Sequence, residues 1–233
     1  PLGAEAMVLS LNADNALQLA LDLSYGGLKG ASLAFGESNI PVKPGRLLVG
    51  GHAGLADEAQ WRAFTERYFS GENNDSVVDN GQASDGLALE IEALRVDRLR
   101  AWGRDFADVL LSVRQDGPGA PWWLAAENSW FKGELNLDPD MASGSLNIER
   151  VDIAGLSGLT GGEQAEQGPA LQLPDLAVSI TALSSNELLL GELDFQLSTE
   201  GETLWARNIT ANIGGLMLGP QAPGSFSWRQ SAP

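Results

Sequence analysis

LALEIEALRVDRLRAWGRDFADVLLSVRQDGPGAPWWLAAENSWFKGELNLDP, residues 87–139, is the stretch whose reading decides the fold class. Runs of mostly alternating apolar and polar residues, 87–99, 106–114 and 122–137, are separated by AWGRD and QDGPGAP, whose glycine, aspartate and proline are turn chemistry. No helical period intervenes, so neighbouring strands can pair antiparallel and the stretch reads as a β-meander. The alternation slips at Ala93–Leu94, which predicts a bulge there, and such a slip carries later side chains to the other face.

A second copy follows. PALQLPDLAVSITALSSNELLLGELDFQLSTEGETLWARNITANIGGLMLGP, residues 169–220, repeats the order of strand, polar turn, strand, Gly-containing turn and Trp-bearing strand. DFADVLLSV aligns with LGELDFQLS, and WWLAAENSWFKGELNL with LWARNITANIGGLMLG. Each unit is about fifty residues long, a length at which sequence repeats signal repeated supersecondary structure.

Towards the N-terminus, Leu17, Leu19, Leu21 and Leu23 alternate with Gln18, Ala20 and Asp22, giving a strand with one leucine face. GGLKG turns the chain into a strand ending Leu33, Ala34, Phe35. Residues 36–45 read as a loop, since Pro41 and Pro44 have no amide hydrogen for a ladder. A strand over 46–51 then leads to His52, and a helix is predicted from Asp57 to about Phe69. Asp57 is placed to cap it, with Gln60 three residues on, and Trp61, Phe64 and Tyr68 form one aromatic face. That face either covers the sheet or meets a lipid or partner.

Residues 70–85 are polar and aperiodic and read as a flexible loop. Beyond the meander, a strand over 144–153 carries Leu146 and Ile148, and Phe226 and Trp228 close the last strand. The predicted organisation is N-terminal strands plus helix (1–69), loop (70–85), first meander unit (86–154), linker (155–169) and second meander unit (170–233), with the strands flanking the linker sharing one sheet. The fold class expected is all-β with one short helix, built of antiparallel strands.

The chain has 233 residues, 43% hydrophobic and 19% charged, enough apolar material for a folded domain. A net charge of −17 argues against a nucleic-acid backbone as partner and would repel an anionic bilayer surface; it reads as a solvated acidic outer face. With no cysteine, neither disulfides nor thiolate metal sites can form. The opening PLGAEAM reads as a leftover of expression and the chain as an excised piece. No apolar window is long enough to span a bilayer.

Catalytic and metal chemistry finds no pattern. His52, the only histidine, lacks a Cys partner and a Gly-x-Ser-x-Gly elbow. GRLLVGGHAG lacks the Lys-Ser/Thr ending of a phosphate-cradling loop, and LDPDMASG lacks the downstream Glu of a calcium loop and reads as a turn. No catalytic residue, metal ligand or cofactor is assigned, and the chain is not expected to be an enzyme. Adjacent Trp122 and Trp123 must point to opposite faces of their strand. An outward tryptophan could stack on sugar rings, so a β-sandwich that binds a glycan or an envelope partner is the alternative function; the plainer reading is aromatic core.

Strand phase places Leu19, Leu21, Leu23, Leu33, Phe35, Leu47, Val49, Val109, Leu111, Val113, Leu124, Leu135, Leu137, Leu146, Ile148, Val178, Ile180, Leu193, Phe195 and Leu197 on the apolar side. Alternation by itself does not separate a filled sandwich core from an open groove.

The runs LEIEALRVDRLRAWGRDFADVLLSVRQ, WWLAAENSWFKGELNL, GSLNIERVDIAGL, PALQLPDLAVSITAL and LLLGELDFQLST, with GRLLVGGHAGLADEAQWRAF upstream, resemble the AsmA-like proteins of Gram-negative envelopes, in particular the C-terminal part of the large YhdP-type members. The resemblance covers most of residues 45–228 and rests on strand pattern plus a few types such as Gly103, Arg104, Phe106 and Trp122. It implies a strongly curved, taco-like open sheet whose apolar side is a lengthwise groove for phospholipid acyl chains, lined by the residues just named. It implies a periplasmic location, a parent protein anchored in the inner membrane by a segment outside this chain, carriage of phospholipid between inner and outer membrane, and envelope proteins as further partners.

Overall fold

The computed structural model of the protein describes residues 7–13, 16–24, 27–36, 38–57, 59–60, 87–101, 104–117, 119–157 and 173–229. Its strands are β1 (Met7–Ala13), β2 (Leu17–Ser24), β3 (Gly27–Phe35), β4 (Arg46–Asp57), β5 (Ala88–Ala101), β6 (Arg104–Gln115), β7 (Trp122–Glu127), β8 (Phe131–Leu137), β9 (Ser143–Asp152), β10 (Asp175–Ser185), β11 (Leu188–Glu200), β12 (Thr203–Ile213), β13 (Leu216–Leu218) and β14 (Gly224–Arg229), and a short helix, α1 (Ile153–Ser157), lies between β9 and β10. Among the described residues they form one 14-stranded sheet in which β1 to β13 are neighbours in chain order and β14 also pairs with β12; the first and last strands do not meet, so the sheet is open. Backbone contacts divide the chain into two compact units, residues 1–109 and 110–233, within β6, whereas composition puts the linker at 155–169. The strands flanking that linker, β9 and β10, pair directly.

The mostly-β class agrees with expectation; the purely antiparallel pairing does not. β3 with β4, β4 with β5, and β9 with β10 run parallel, so the sheet is mixed. Parallel neighbours need a crossover connection, and each pair is joined by a segment that reads as loop, helix or linker. Between β3 and β4 the connection crosses the sheet: a Cβ on Gly30 would lie 2.4 Å from the Lys43 carbonyl oxygen, and one on Gly50 3.0 Å from Ile40 Cδ1. Ser32, Ala34 and Leu48, on the same side as those glycines, are buried accordingly.

Between β9 and β10 the chain forms α1, a short helix where residues 155–157 read as linker. Asp152 Oδ1 accepts amide hydrogens from Ala154 (2.9 Å), at the start of the crossover, and from Asn186 (3.1 Å), in the turn that follows β10. The backbone of Gly155 lies against the Trp130 indole so closely that a Cβ would fall 2.5 Å from the ring.

The run 122–137 is two strands rather than one. Asn128 makes the turn: its Oδ1 accepts from the amides of Trp130 (3.1 Å) and Phe131 (2.8 Å), while the Arg150 guanidinium donates to the carbonyls of Ser129 (2.8 Å) and Asn128 (2.7 Å). The other tight turns place residues at positive φ, three of the four being Asn or Gly, which tolerate it. Asn186 and Glu187 have φ of 49° and 69°, and Gly214 and Gly215 of 56° and 82°, the signature of two-residue hairpin loops. The predicted slip is present: Ala93 has φ 48°, and the β4–β5 register shifts beside it, between Gly50 and His52.

In the first unit Ala31, Val49, Ala88, Leu94, Val96 and Val109 are among the buried residues; in the second, Val151, Leu176, Val178 and Ile180 form the buried cluster, with Phe131, Leu135, Leu146, Leu193 and Phe195 packed against it. Asp57 Oδ1 accepts from the amides of Ala59 and Gln60, as a helix cap would. Trp61, Phe64 and Tyr68 lie outside the described residues, as do 70–85 and 158–169. No helix among the described residues is long and apolar enough to cross a membrane.

Candidate functional site

Paired residues of neighbouring strands point to the same side of a sheet, so the register converts strand phase into rows running across the strands. In the second unit one row reads Val113, Leu124, Leu135, Leu146, Val178, Phe195, each opposite the next. A second reads Leu111, Ala126, Gly133, Ile148, Ile180, Leu193, Ala211, Leu218. A third reads Gln115, Trp122, Leu137, Gly144, Leu176, Leu197, Ala206, Phe226. At the usual interstrand distance of about 4.8 Å, seven steps span about 34 Å. Half of a bilayer's hydrocarbon core is about 15 Å, so such a row is longer than an acyl chain.

The row on the opposite side is Ser112, Ala125, Glu134, Asn147, Ser179, Asp194, Thr210, polar at every position but one. A shallow hollow of about 250 Å³ there is bordered by Ser112, Glu127, Lys132, Glu134 and Ser179. Lys132 Nζ lies 2.6 Å from Glu149 and Arg150 3.2 Å from Glu127, and the hydrogen bond and charge of Glu149 raise the Lys132 ammonium above its ordinary pKa.

In the first unit the corresponding rows are Leu11, Leu19, Leu33, Val49, Ile91 and Leu9, Leu21, Ala31, Leu47, Leu89. Leu17 lies opposite Phe35, and Leu23 opposite Leu28, on the same side. Within each unit, then, the residues named from phase fall on one side; Val109 ends the first unit and alternates in phase with Leu111 and Val113. Sequence reasoning left out Leu9, Leu11, Leu89, Ile91, Leu176, Leu218, Phe226 and Trp228 from that side. The alternation in MVLSLNA, LALEI and SFSW carries the same signal.

Burial on this side falls from the centre outwards. Val178 is 4% exposed, whereas Leu218 and Phe226 at the rim of the second unit reach 38% and 63%, and Leu9 and Leu11 on β1 reach 50% and 59%. Leu193, Phe195 and Leu197 are half-buried. Glycines sit where the register shifts. Gly133 and Gly191 adjoin register shifts, and a Cβ on Gly191, whose φ is 146°, would lie 1.7 Å from the Asn212 carbonyl oxygen.

The other candidate groups make local contacts. His52 Nε2 lies 2.6 Å from Asp97 Oδ1, both exposed, and no third group completes a relay among the described residues. Asp140 accepts the Ala142 amide and the Ser143 hydroxyl bonds Asp138, making the LDPDMASG segment the turn expected. No cluster of His, Cys, Asp or Glu able to hold a metal occurs among the described residues. Trp122 and Trp123 pair on opposite sides; Arg114 lies over the Trp123 ring at 5.6 Å, its Nε1 donates to Glu134, and Arg207 covers Trp205 at 4.7 Å. Compared with family models, curated proteins and solved structures, the chain matches none.

Proposed function

We propose that this chain is a segment of an AsmA-like bridge that carries phospholipid between the inner and outer membranes of a Gram-negative envelope, with acyl chains lying along the apolar rows and headgroups in water. The observation that carries the reading is the row continuity in the second unit, where Leu111 to Leu218 presents no charged side chain across eight strands. Moving a phospholipid through water exposes two acyl chains, at about 0.8 kcal/mol per methylene some 20 kcal/mol in all. A continuous apolar side removes that cost without any catalytic group. A strongly curved, groove-shaped sheet is part of the proposal, supported by register shifts in β2–β3, β4–β5, β8–β9, β10–β11, β11–β12 and β12–β14, since bulges bend strands. The periplasm is the matching compartment, and the chain acts as a conduit rather than as an enzyme.

The arginines stacked on Trp123 and Trp205 count against the glycan-binding alternative, because a sugar would have to displace a cation from each ring. The test is a photo-crosslinking amino acid at Leu111 or Leu193, with Ser112 and Asp194 as opposite-side controls, followed by mass spectrometry of the captured lipid. Phospholipid is expected at 111 and 193 and not at the controls. Leu193→Asp should abolish capture at 111, because a passing chain cannot repay the cost of stripping water from the carboxylate. A folded protein that captures lipid at neither apolar position overturns the reading.

A further inference from the structure

The rim of the second unit differs in chemistry from the rest of the chain. β13 and β14 both pair with β12, forming a last strand interrupted by residues 219–223. Pro220 and Pro223 have no amide hydrogen, so the rim offers a broken ladder to any further strand. What it offers instead is side chains: Leu216, Met217, Phe226 and Trp228 are 79%, 82%, 63% and 61% exposed. The register puts Leu216, Phe226 and Trp228 on the apolar side, and Met217 on the other with Ser227 and Arg229, so the rim is apolar on one side and carries a single exposed methionine on the other.

The charge changes at the same place. Residues 203–233 contain Arg207 and Arg229 and no Asp or Glu, in a chain of net charge −17. Arg207 is paired with Glu200 at 2.7 Å, and Arg229 is exposed. The carboxylates along β11 lie two strands in, about 10 Å away at normal strand spacing, beyond the screening length of about 8 Å at physiological salt; Glu202, in the turn beside Thr203, lies nearer and faces the Arg229 end of the rim.

We propose that the β13–β14 rim docks on the surface of a phospholipid bilayer, its leucine, methionine and aromatic side chains entering the interface. Trp and Phe suit that boundary, where an apolar ring is buried beside hydrated headgroups. An anionic leaflet repels the acidic remainder of the chain but not this rim, so charge orients the molecule rim-first. A protein strand would need the ladder that the prolines interrupt, and a second copy would bring −17 against −17. This inference rests on exposure and charge at the rim and stands whether or not acyl chains travel the apolar rows.

Because the chain has no cysteine, Met217→Cys and, as a control on the polar side, Ser179→Cys each give a unique labelling site. With a polarity-sensitive fluorophore at each, vesicles of phosphatidylcholine, with and without phosphatidylglycerol, are expected to shift the label at 217 to the blue and leave that at 179 unchanged. In flotation with the same vesicles, Phe226→Ser combined with Trp228→Ser should lower partitioning about tenfold or more. Both side chains are exposed, so the double variant should keep the β circular dichroism of the parent. Absence of flotation with either vesicle, equal response at 217 and 179, or unchanged flotation of the folded double variant overturns the proposal. So does a dimer in light scattering that the double variant dissolves without any vesicle signal. Lipid capture at Leu193, measured in parallel, reports on the conduit separately.

Discussion

Single residues decide how closely neighbouring strands approach where the register shifts. At Gly191 two costs meet, a φ of 146° and a Cβ position 1.7 Å from a backbone oxygen of the neighbouring strand, whereas Gly201 has a φ of 60° with nothing within 4 Å. Gly201→Ala therefore carries the left-handed backbone cost alone, about 1 kcal/mol. Gly191→Ala must also push β11 from β12 and is expected to cost about 3 kcal/mol or more. Urea unfolding of the two variants checks this, and equal midpoints would mean that β11 and β12 accommodate a side chain at 191 without separating. Residue phase was legible in the sequence because alternation is a local property. The slip at Ala93–Leu94 was legible for the same reason, since two apolar residues follow one another where a polar one was due. The contact between Gly191 and Asn212 was not, because it depends on which strand lies alongside.

At the scale of elements, the hairpins and the parallel pairs differ in how far their cause reaches. A hairpin is written within a few residues: Gly214 with Gly215 turns the chain through backbone freedom, and Asn186 tolerates the left-handed conformation that Glu187 beside it is made to share. The β7–β8 turn is also local but depends on one side-chain oxygen, which a reading of alternation passes over. Asn128 is 9% exposed and accepts from both Trp130 and Phe131. Asn128→Ala leaves those amides without that acceptor and is expected to destabilise the chain by about 1–3 kcal/mol. Asn128→Asp keeps the acceptor and should retain most of the stability, so chemical denaturation of the pair separates a lost bond from a lost shape. The parallel pairs were not legible. Ile40 above Gly50 and α1 beside Trp130 are contacts between segments whose own sequence says loop and linker. Repeated order was visible even so: β5–β6–β7–β8 and β10–β11–β12–β13 correspond as the two meander copies align, and β5 and β10 each join the preceding strand in parallel.

For the whole molecule the governing balance is between an exposed apolar side and a net charge of −17. Exposed ion pairs contribute little, and pairs such as Arg114 with Asp116 and Arg207 with Glu200 have both partners exposed, whereas Arg46 with Glu90 is half-buried. The excess carboxylates thus act mainly between molecules, holding copies apart while leucine and aromatic side chains remain open to water. Protonating the carboxylates removes that repulsion without removing the apolar surface. As pH falls from 7 towards the isoelectric point near 4.2, light scattering is expected to rise steeply, while circular dichroism remains β until association is under way. Salt at pH 7 should act in the same direction, since screening shortens the repulsion to a few ångströms and leaves the apolar attraction in place. Detergent or short-chain phospholipid should prevent the scattering by covering the apolar side, and a non-detergent zwitterion of equal ionic character should not. The variant Phe226→Ser with Trp228→Ser should reduce the scattering only in part, because Leu9, Leu11, Leu188 and Leu189 remain exposed elsewhere. Scattering that is insensitive to detergent would mean that copies associate through their polar surfaces, and the apolar side would then have to be covered in solution.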